Sequence, residues 1–446
     1  MKIQLPWGES RLSVDVPDSW DLVFPVKKTA AKPGEKMTRA YETGLVRQAL
    51  NKPVGAQPIE KMKLRGKRVL IIVDDNTRPT PVHRFFHLVL ESLAKAGAKG
   101  RQITVLTALG IHTRMSRDDM TAKIGERNLK KVQWFNHAPH DVVNLQYVGE
   151  TSRGVRVELN RLAVEADFIV TIGLVEPHLW AGFGGGMKNI LPGIASAKTI
   201  ARHHEIIAEP PYIFNRVGLA PEMNSFRLDL EEVQGMLQAP IFCLNTVLDD
   251  NGMIIGAFAG DPVSAHREAV RCNYDTAGLY MDEKVDGVIV SAHPMDMNFK
   301  QSMKGVGNSI PALKPGGVVM GFLRAVRGLD DITPPEDYKP LALAKAVLRL
   351  LGPSRVLWLL EKTKGSLNPE EKFLVYYSMQ LMRAHDLYFH IPTITDDEAK
   401  RLGFFENFRE PQMVIERAVK KLGPRAKVAV FPEAGATFPV VKNAGF

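Results

Sequence analysis

Short apolar segments that look like β-strands alternate with segments of helical apolar spacing over most of this chain, and this alternation limits the folds available to it. The segment RVLIIVDD (68–75) is rich in β-branched residues and is followed by the turn-rich NTRPTP. Residues 82–96, VHRFFHLVLESLAKA, have helical apolar spacing and end before Gly97. ITVLTALG (103–110) and ADFIVTIGLV (166–175) are further strand candidates. Strands that alternate with helices predict an α/β fold, with a largely parallel sheet and helices on both of its faces.

The same pattern starts again near Val285. A predicted strand (285–294) is followed by a helical segment (298–314) and by another strand (316–325). Helical sequence then returns at LALAKAVLRLL and EEKFLVYYSMQLMR. The chain therefore contains a second α/β unit.

The length of 446 residues also favours two domains, because a single hydrophobic core rarely grows that large. We predict an N-terminal α/β domain over residues 1–275 and a second α/β domain over 276–426, linked around 270–284. The strand-like C-terminal segment 427–446 is expected to return to the first domain.

Composition argues against several classes of protein. Cys243 and Cys272 are the only cysteines, which argues against a disulfide framework and fits the cytoplasm. No apolar run reaches the ~18 residues that span a bilayer, and the N-terminus lacks the apolar core of a signal peptide. The net charge is +9, but the basic residues are dispersed and no nucleic-acid-binding motif is present. We expect neither a membrane nor a nucleic acid as partner, and a surface suited to small anions.

Polar residues follow the predicted strands in both domains. They are Asp74, Asp75, Arg78, His112 and His178 in the first domain, and His293, Asp296, Gln301 and Lys304 in the second. Ligands of open α/β sheets bind outside the carboxyl ends of the strands. Two such edges that face each other form an interdomain cleft, where we expect the active site.

Several of these residues also fit purely structural roles. Asp74 and Asp75 precede NTRPTP and can form an Asx turn with their own backbone. Asp75 and Arg78 can form an ion pair, and a histidine after a strand is often only a loop residue.

The segment AGFGGGMKN (181–189) is the most specific local feature. Glycines allow backbone N–H groups to converge on an anion, and Lys188 lies just beyond three consecutive glycines. The spacing is neither that of a Walker A loop nor that of the GxGxxG dinucleotide fingerprint. The loop therefore favours a phosphate other than that of ATP or NAD, with a plain tight turn as the alternative, and the Lys188 amine can pair with an anion or bind a ligand covalently.

Two adjacent histidines, His203 and His204, follow in SAKTIARHHEII (196–207), which has the pattern of a helix. Neighbours on a helix diverge by about 100°, so both cannot point at one ligand. Ile200 and Ile207 mark the inward face, and His204 lies nearer to it, with His203 expected at the rim. His204 is the better candidate for a metal ligand, and an imidazole suits nickel, zinc or copper.

Together these motifs resemble the nickel-pincer-nucleotide family of lactate racemase and related 2-hydroxyacid racemases and epimerases. The resemblance rests on DDNTRPTP, GIH, EPH, AGFGGGMKNILPG, RHH, MNFKQSMKG and FPEAGATFP, which occur in the family's order over residues 74–439. The cofactor implied is a pyridinium mononucleotide that holds nickel through two sulfurs and a ring carbon. Its synthesis requires other proteins, which are therefore implied as activation partners.

The resemblance also implies a role for each matching residue. The catalytic residues are His112 and His178, the nickel ligand is His204, and the covalent thioamide is at Lys188. The other cofactor contacts fall on Asp75, Thr77, Arg78, Gly184, Gly185 and Gly186. The substrate contacts fall on Arg78, Lys300, Gln301 and Lys304.

The activity implied is inversion of C2 of a small anionic 2-hydroxy acid by proton-coupled hydride transfer. Racemases acting on lactate have tyrosine where this chain has Lys300, and Phe373 stands in place of a tryptophan of a late helix. We therefore expect a substrate that is longer or more polar than lactate, such as a sugar acid or a hydroxydicarboxylate. The alternatives are a zinc hydrolase using Asp75, His112, His178 and His204, and a non-catalytic protein that binds an anionic nucleotide.

Overall fold

The structure is a computed structural model that describes residues 1–28, 38–208, 213–249, 251–330, 332–338, 340–365 and 369–442. The chain forms two compact units. Within the described residues, the first unit comprises 38–208, 219–249 and 251–276, and the second comprises 1–28, 213–218 and the described part of 277–442. In these ranges no helix is both long enough and apolar enough to cross a membrane.

In chain order the strands are β1 (Lys2–Trp7), β2 (Ser10–Asp15), β3 (Asp21–Val23), β4 (Val26–Lys27), β5 (Val69–Asp74), β6 (Ile103–Ala108), β7 (Gln133–Asn136), β8 (Leu145–Glu150), β9 (Arg156–Asn160), β10 (Phe168–Leu174), β11 (Pro177–His178), β12 (Gly182–Phe183), β13 (Ile241–Leu248), β14 (Ile254–Gly260), β15 (Gly278–Met281), β16 (Val285–Ser291), β17 (Leu313–Phe322), β18 (Asp386–His390), β19 (Glu406–Asn407), β20 (Lys427–Phe431) and β21 (Phe438–Val441).

The helices are α1 (Arg39–Asn51), α2 (Phe86–Lys95), α3 (Arg117–Ile124), α4 (Glu126–Leu129), α5 (Arg161–Glu165), α6 (Ala197–His204), α7 (Ser225–Glu232), α8 (Pro262–Thr276), α9 (Phe299–Ser309), α10 (Leu341–Leu351), α11 (Pro353–Lys364), α12 (Pro369–Ala384), α13 (Asp396–Leu402) and α14 (Pro411–Leu422).

The first unit is built on a six-stranded sheet of order β14-β13-β10-β5-β6-β7. All neighbours are parallel except β13 and β14. Strands β5 and β10 are buried along their whole length, which explains their unbroken apolar sequences. From β5 the chain proceeds to β6 and β7 on one side, and later to β10 and β13 on the other. The carboxyl ends of β5 and β10 therefore flank the point where the strand order reverses, which is where ligands of such sheets bind.

The second unit contains a fully parallel sheet of order β19-β18-β17-β16-β20-β3. Here the order reverses between β16 and β20. A three-stranded sheet, β21-β15-β4, and the β1–β2 hairpin complete the strands of this unit. The α/β prediction with largely parallel sheets is confirmed, whereas the predicted cleft between the domains stays a prediction.

The expected path of the C-terminal segment is wrong. Strand β20 is hydrogen-bonded between β16 and β3, and β21 pairs with β15, so residues 427–442 belong to the second unit. The N-terminal residues 1–28 join it too, because β3 pairs with β20 and β4 with β15. The predicted link at 270–284 is not a loop, since α8 runs to Thr276 and β15 starts at Gly278.

Candidate active site

The turn after β5 is held by the buried amine of Lys123. Lys123, on α3, lies with its Nζ 2.6 Å from Oδ1 of Asp74, and both side chains are almost fully buried. The same Nζ donates to the carbonyl oxygens of Asp75, at 2.9 Å, and Arg78, at 3.0 Å. Burial raises the pKa of Asp74, and the charge of Lys123 and hydrogen bonds from Lys123 and Thr80 oppose this rise. The motif DDNTRPTP is therefore fixed in one conformation.

Asp75, at the carboxyl end of β5, accepts a hydrogen bond from His112, which follows β6. Its Oδ2 lies 2.7 Å from Nδ1 of His112, and its Oδ1 accepts from the backbone N–H, at 2.9 Å, and the hydroxyl, at 2.5 Å, of Thr77. Burial acts to raise the pKa of Asp75, but the bond and charge of His112 and the bonds from Thr77 outweigh it and lower the pKa. The Asx turn considered from the sequence is present, and it leaves the second carboxylate oxygen to orient His112.

Arg78 does not pair with Asp75. Its Nη1 lies 3.5 Å from Oε1 of Glu176, which follows β10. A contact thus joins the carboxyl ends of β5 and β10 at the point where the strand order reverses. Both side chains are partly exposed there, at 25% and 23%, so the Arg78 guanidinium is accessible to an anion.

His178 is oriented by its own hairpin. Strands β11 and β12 pair through His178 and Gly182, so the chain folds back over the ring. The backbone N–H groups of Trp180 and Ala181 approach Nδ1 of His178 at 3.2 and 3.3 Å. The ring is half-buried, and the two amides of this turn orient it through Nδ1.

Arg227, a buried residue of α7, holds the glycine loop. Its guanidinium donates to the carbonyl oxygens of Ala181 (3.4 Å), Phe183, Gly184 (3.4 Å) and Gly185 (3.2 Å). Burial lowers the pKa of Arg227 to about 10, so it remains charged at neutral pH. The planar guanidinium offers five N–H donors, which suits a run of carbonyl groups.

The glycines serve a different purpose from the expected convergence of N–H groups. The N–H of Gly184 donates to Glu176 O at 2.7 Å, and that of Gly186 donates to Oδ1 of Asn245 at 3.0 Å. Gly185 has φ +69°, and a Cβ there would lie 2.6 Å from Cγ2 of Val175. Glycine is therefore required by backbone conformation and close packing, which lets the loop deliver Lys188.

Lys188 and His204 belong to the same unit, and their charges interact. The positive charge of Lys188 contributes, after burial, to lowering the pKa of His204 to about 4, so this imidazole is neutral at neutral pH. Its Nδ1 lies 2.6 Å from the carbonyl oxygen of Ile200, which can only accept a hydrogen. The lone pair of His204 is therefore on Nε2, as a metal ligand requires.

The expected placement of His203 is wrong. His203 is fully buried rather than at the rim, with Nε2 3.2 Å from Phe226 O and 3.5 Å from Oδ2 of Asp229. His204 is the half-buried member of the pair, and its ring meets Trp180 edge-on at 4.8 Å. The α6 helix ends at His204. At this end, packing against α7 decides which histidine is buried, and the apolar face marked by Ile200 does not.

In the second unit, the predicted substrate residues lie on the first turns of α9. Asn298 caps this helix by accepting from the N–H of Gln301 at 2.9 Å. Gln301 and Lys300 are half-buried and Lys304 is exposed, while Phe299 and Ser302 face the core. The helix follows β16 directly, so these polar residues lie at the carboxyl edge of the second sheet.

The late motif FPEAGATFP also lies at this edge, directly after β20. A Cβ on Gly435 would lie 2.5 Å from Ala292 O, and one on Gly305 of α9 would lie 3.1 Å from the Cα of Ala292. Nδ2 of Asn308 donates to Ala434 O at 2.8 Å. The motif thus packs α9 closely against the ends of β16 and β20. The side chain of Phe373, singled out in the sequence, lies outside the described side chains.

Lys123, Arg227 and Glu176 contact the candidate site residues, and the sequence alone does not assign them this role. The sequence does indicate that Lys123 is buried, because it lies between Met120 and Ile124 on the buried face of α3. The indication for Arg227 is weaker: it is a charged residue between Phe226 and Leu230, which are also buried. Lys123 and Arg227 contact backbone carbonyls distant in the chain, and Lys123 also pairs with the carboxylate of Asp74, so no local pattern reveals these contacts.

Replacing Lys123 with methionine is expected to cost about 3–5 kcal/mol of the free energy of unfolding. The change leaves the Asp74 carboxylate buried without its partner and also removes two hydrogen bonds to the turn. Urea denaturation of the full chain measures it. Lys95→Met is the matched control, because Lys95 is exposed and pairs with Glu60 at 3.1 Å on the surface, where an ion pair contributes ~0–1 kcal/mol. Equal losses in the two variants would contradict the anchoring role.

Comparisons with known proteins show which family the sequence resembles. Residues 7–212 match the family model described as the lactate racemase N-terminal domain. A lactate racemase of Thermoanaerobacterium thermosaccharolyticum is 32% identical over 324 residues, which cover 71% of this chain and 73% of that protein. A lactate racemase of Lactiplantibacillus plantarum is 26% identical over 447 residues, covering 97% and 98%.

Solved structures of similar fold include a member of the same family. The lactate racemase apoprotein from T. thermosaccharolyticum matches with a TM-score of 0.81 and 26% identity, covering 99% of this chain and all of that one. A Thermotoga maritima protein matches with a TM-score of 0.60 and 19% identity, covering 92% and 99%, and supports the fold alone. With the 32% identity over most of both sequences, these matches show that the chain belongs to the lactate racemase family and is an isomerase, a racemase or epimerase.

Proposed function

We propose that this protein inverts C2 of a 2-hydroxy acid that is longer or more polar than lactate, with a nickel-pincer nucleotide bound covalently to Lys188. The lactate racemase family is nickel-dependent. The observation that carries the proposal is His204, whose neutral ring directs its lone pair away from Ile200 while lying near the amine of Lys188.

The residues of the first unit suit this cofactor. Among the described residues, no group of three His, Cys, Asp or Glu side chains is placed to hold a metal ion. A metal bound at His204 would therefore need its other ligands from a bound molecule, which the pincer nucleotide supplies. Arg78 and Thr77 lie at the carboxyl end of β5 and would contact the anionic nucleotide, and Gly184, Gly185 and Gly186 allow close packing of the loop beside it.

The contacts of the other candidate ligands disfavour a zinc hydrolase. A catalytic zinc site normally has three protein ligands, whereas Asp75 is bonded to His112, and His178 is held by backbone amides. A protein that merely binds a nucleotide needs no histidine oriented by a carboxylate. His112 and His178 are thus better explained as acid–base groups.

The chemistry divides between the bound group and the protein. When bound, the nickel-pincer nucleotide supplies the hydride acceptor for C2. His112 and His178 move the hydroxyl proton, since an imidazole has an ordinary pKa of ~6.5 and exchanges protons readily near neutral pH. Asp75 orients His112 through its Nδ1. Gln301 and Lys304 bind the substrate carboxylate.

Lys300 carries the substrate preference. It lies four residues before Lys304 on α9, so the two amines share one side of the helix. If Lys304 and Gln301 bind the C1 carboxylate, Lys300 can bind a second anionic or hydroxyl-rich group. That requirement favours a sugar acid or a hydroxydicarboxylate over lactate.

Lys300→Tyr is expected to lower kcat/KM for the longer acid at least tenfold more than for lactate, about 1.4 kcal/mol of lost discrimination. Steady-state kinetics of the two substrates with loaded protein measure it. Lys420→Tyr, an exposed position of α14 in the same unit, is the control. An unchanged ratio of the two kcat/KM values would remove Lys300 from the explanation of specificity.

Two measurements test the proposed function. Intact-mass analysis of protein co-expressed with cofactor-synthesis proteins should show a covalent adduct, and neither alternative function predicts one. A screen of 2-hydroxy acids with the loaded protein should find racemisation or epimerisation with C2 hydrogen retained. Activity without any adduct would contradict the cofactor assignment.

The cellular setting is part of the proposal. Cys243 and Cys272 are free thiols, which supports the cytoplasm as the working compartment. The partners proposed are the 2-hydroxy acid and the proteins that synthesise the cofactor.

A further inference from the structure

The hydrogen-bond partner of His112 decides which of its nitrogens carries the proton. The Asp75 carboxylate, 2.7 Å from Nδ1, is ionised and can only accept. The hydrogen between the two groups therefore belongs to Nδ1 of His112. A neutral imidazole has a single N–H, so Nε2 of His112 carries a lone pair.

The partners of His178 impose the opposite arrangement. Nδ1 of His178 faces the backbone N–H groups of Trp180 and Ala181 at 3.2 and 3.3 Å. Amides only donate, so Nδ1 must be the acceptor and its lone pair points into the turn. The proton of neutral His178 is then on Nε2.

We infer that the folded protein holds His112 and His178 in opposite neutral tautomers, so that at rest Nε2 of His112 accepts a proton and Nε2 of His178 donates a hydrogen bond. This inference rests on the proposed function and adds an order of events to it. The substrate O–H bond breaks at the His112 side, and the new N–H bond forms at His112 Nε2. The resulting imidazolium is stabilised by Asp75.

The two histidines are consequently not interchangeable. Nε2 of neutral His178 already carries the single ring proton, so it cannot accept the hydroxyl proton of the opposite enantiomer. To do so, the ring must first release its Nε2 proton to solvent and take one from solvent on Nδ1. This exchange separates Nδ1 from the amides of Trp180 and Ala181. The enantiomer whose hydroxyl contacts His112 can react with both histidines in their resting tautomers. The other enantiomer can react only after His178 has changed its tautomer.

Nitrogen NMR of the histidines tests this directly. The full chain, purified as expressed and labelled with ¹⁵N-histidine, is recorded at a pH about two units above the ordinary imidazole pKa of ~6.5, which favours the neutral form of an imidazole. Long-range ¹H–¹⁵N spectra distinguish protonated from unprotonated ring nitrogens, and His112→Gln and His178→Gln assign the signals. We expect unprotonated Nε2 in His112 and unprotonated Nδ1 in His178. The same tautomer in both rings would overturn the inference.

A variant separates positioning from general damage to the fold. Asp75→Ala should shift His112 towards the Nε2–H tautomer and leave His178 unchanged, while Asp167→Ala, at a carboxylate paired with Arg68, should change neither. The buried His137, with Nε2 2.9 Å from Ala195 O, provides an internal Nε2–H reference. A shift confined to His112 supports the inference, and an unmoved His112 contradicts it.

Failure of this inference and failure of the proposed function give different results. Opposite tautomers in a protein that racemises no 2-hydroxy acid would contradict the function alone. Racemisation by a protein whose two rings share one tautomer would contradict the inference alone.

Discussion

Lys188→Ala is expected to abolish covalent cofactor loading, so that its intact mass equals that of the bare chain even when the cofactor-synthesis proteins are present. The glycine loop, held by Arg227, presents a single lysine amine close to His204. Alanine removes the amine that we propose forms the thioamide. Lys198→Ala is the control, because Lys198 is exposed on α6, ten residues further along. An adduct of undiminished stoichiometry on Lys188→Ala would place the attachment elsewhere.

His204→Ala should give the complementary result, retaining the adduct but losing most of its nickel. The Nε2 lone pair of His204 is the metal ligand assigned here, and alanine has none. Metal analysis of adduct-bearing protein measures the loss. Nickel content equal to that of the unaltered protein would contradict the assignment. His203→Ala cannot replace this test, because His203 is buried against Phe226 and Asp229.

The second large effect concerns proton transfer. His112→Ala and His178→Ala should each lower kcat by 10²–10⁴-fold, about 3–5 kcal/mol, the usual cost of losing an acid–base group. Cofactor loading should be unaffected, because neither residue is assigned to the tether or the metal. Steady-state racemisation and intact mass measure the two properties on the same samples.

His140→Ala is the matched control for both variants, since His140 is an exposed histidine of the same unit. Its kcat should equal that of the unaltered protein. Near-normal turnover in either His112→Ala or His178→Ala would show that a single base suffices and would contradict the two-histidine mechanism.

Much of the fold was predictable because its strands are buried on both faces. The predicted strands at 68–75, 103–110 and 166–175 correspond to β5, β6 and β10, and their apolar sequences leave little alternative. The helix predicted over 298–314 is α9, which ends at Ser309. Strand ends also located the candidate residues, because polar groups directly after parallel strands collect at one edge of a sheet.

Pairing between segments distant in the sequence was not predictable. The strand character of 427–431 was evident, but β20 could have completed either sheet, since its apolar residues fit both. The same limit applies to His203, whose burial depends on α7. Helical periodicity shows that neighbours diverge, but only the packed partner decides which of them lies inside.

The sequence by itself determined the α/β class, the existence of two units and the order of the motifs that mark the lactate racemase family. These follow from local periodicity and from residue types that occur together. The tertiary structure alone decided how the site is supported: Lys123 under the β5 turn, Arg227 behind the glycine loop, and Asp75 on His112. Each involves hydrogen bonds or an ion pair between residues that are 37 to 49 positions apart. The geometry of such contacts depends on chain packing, so no spacing in the sequence specifies it.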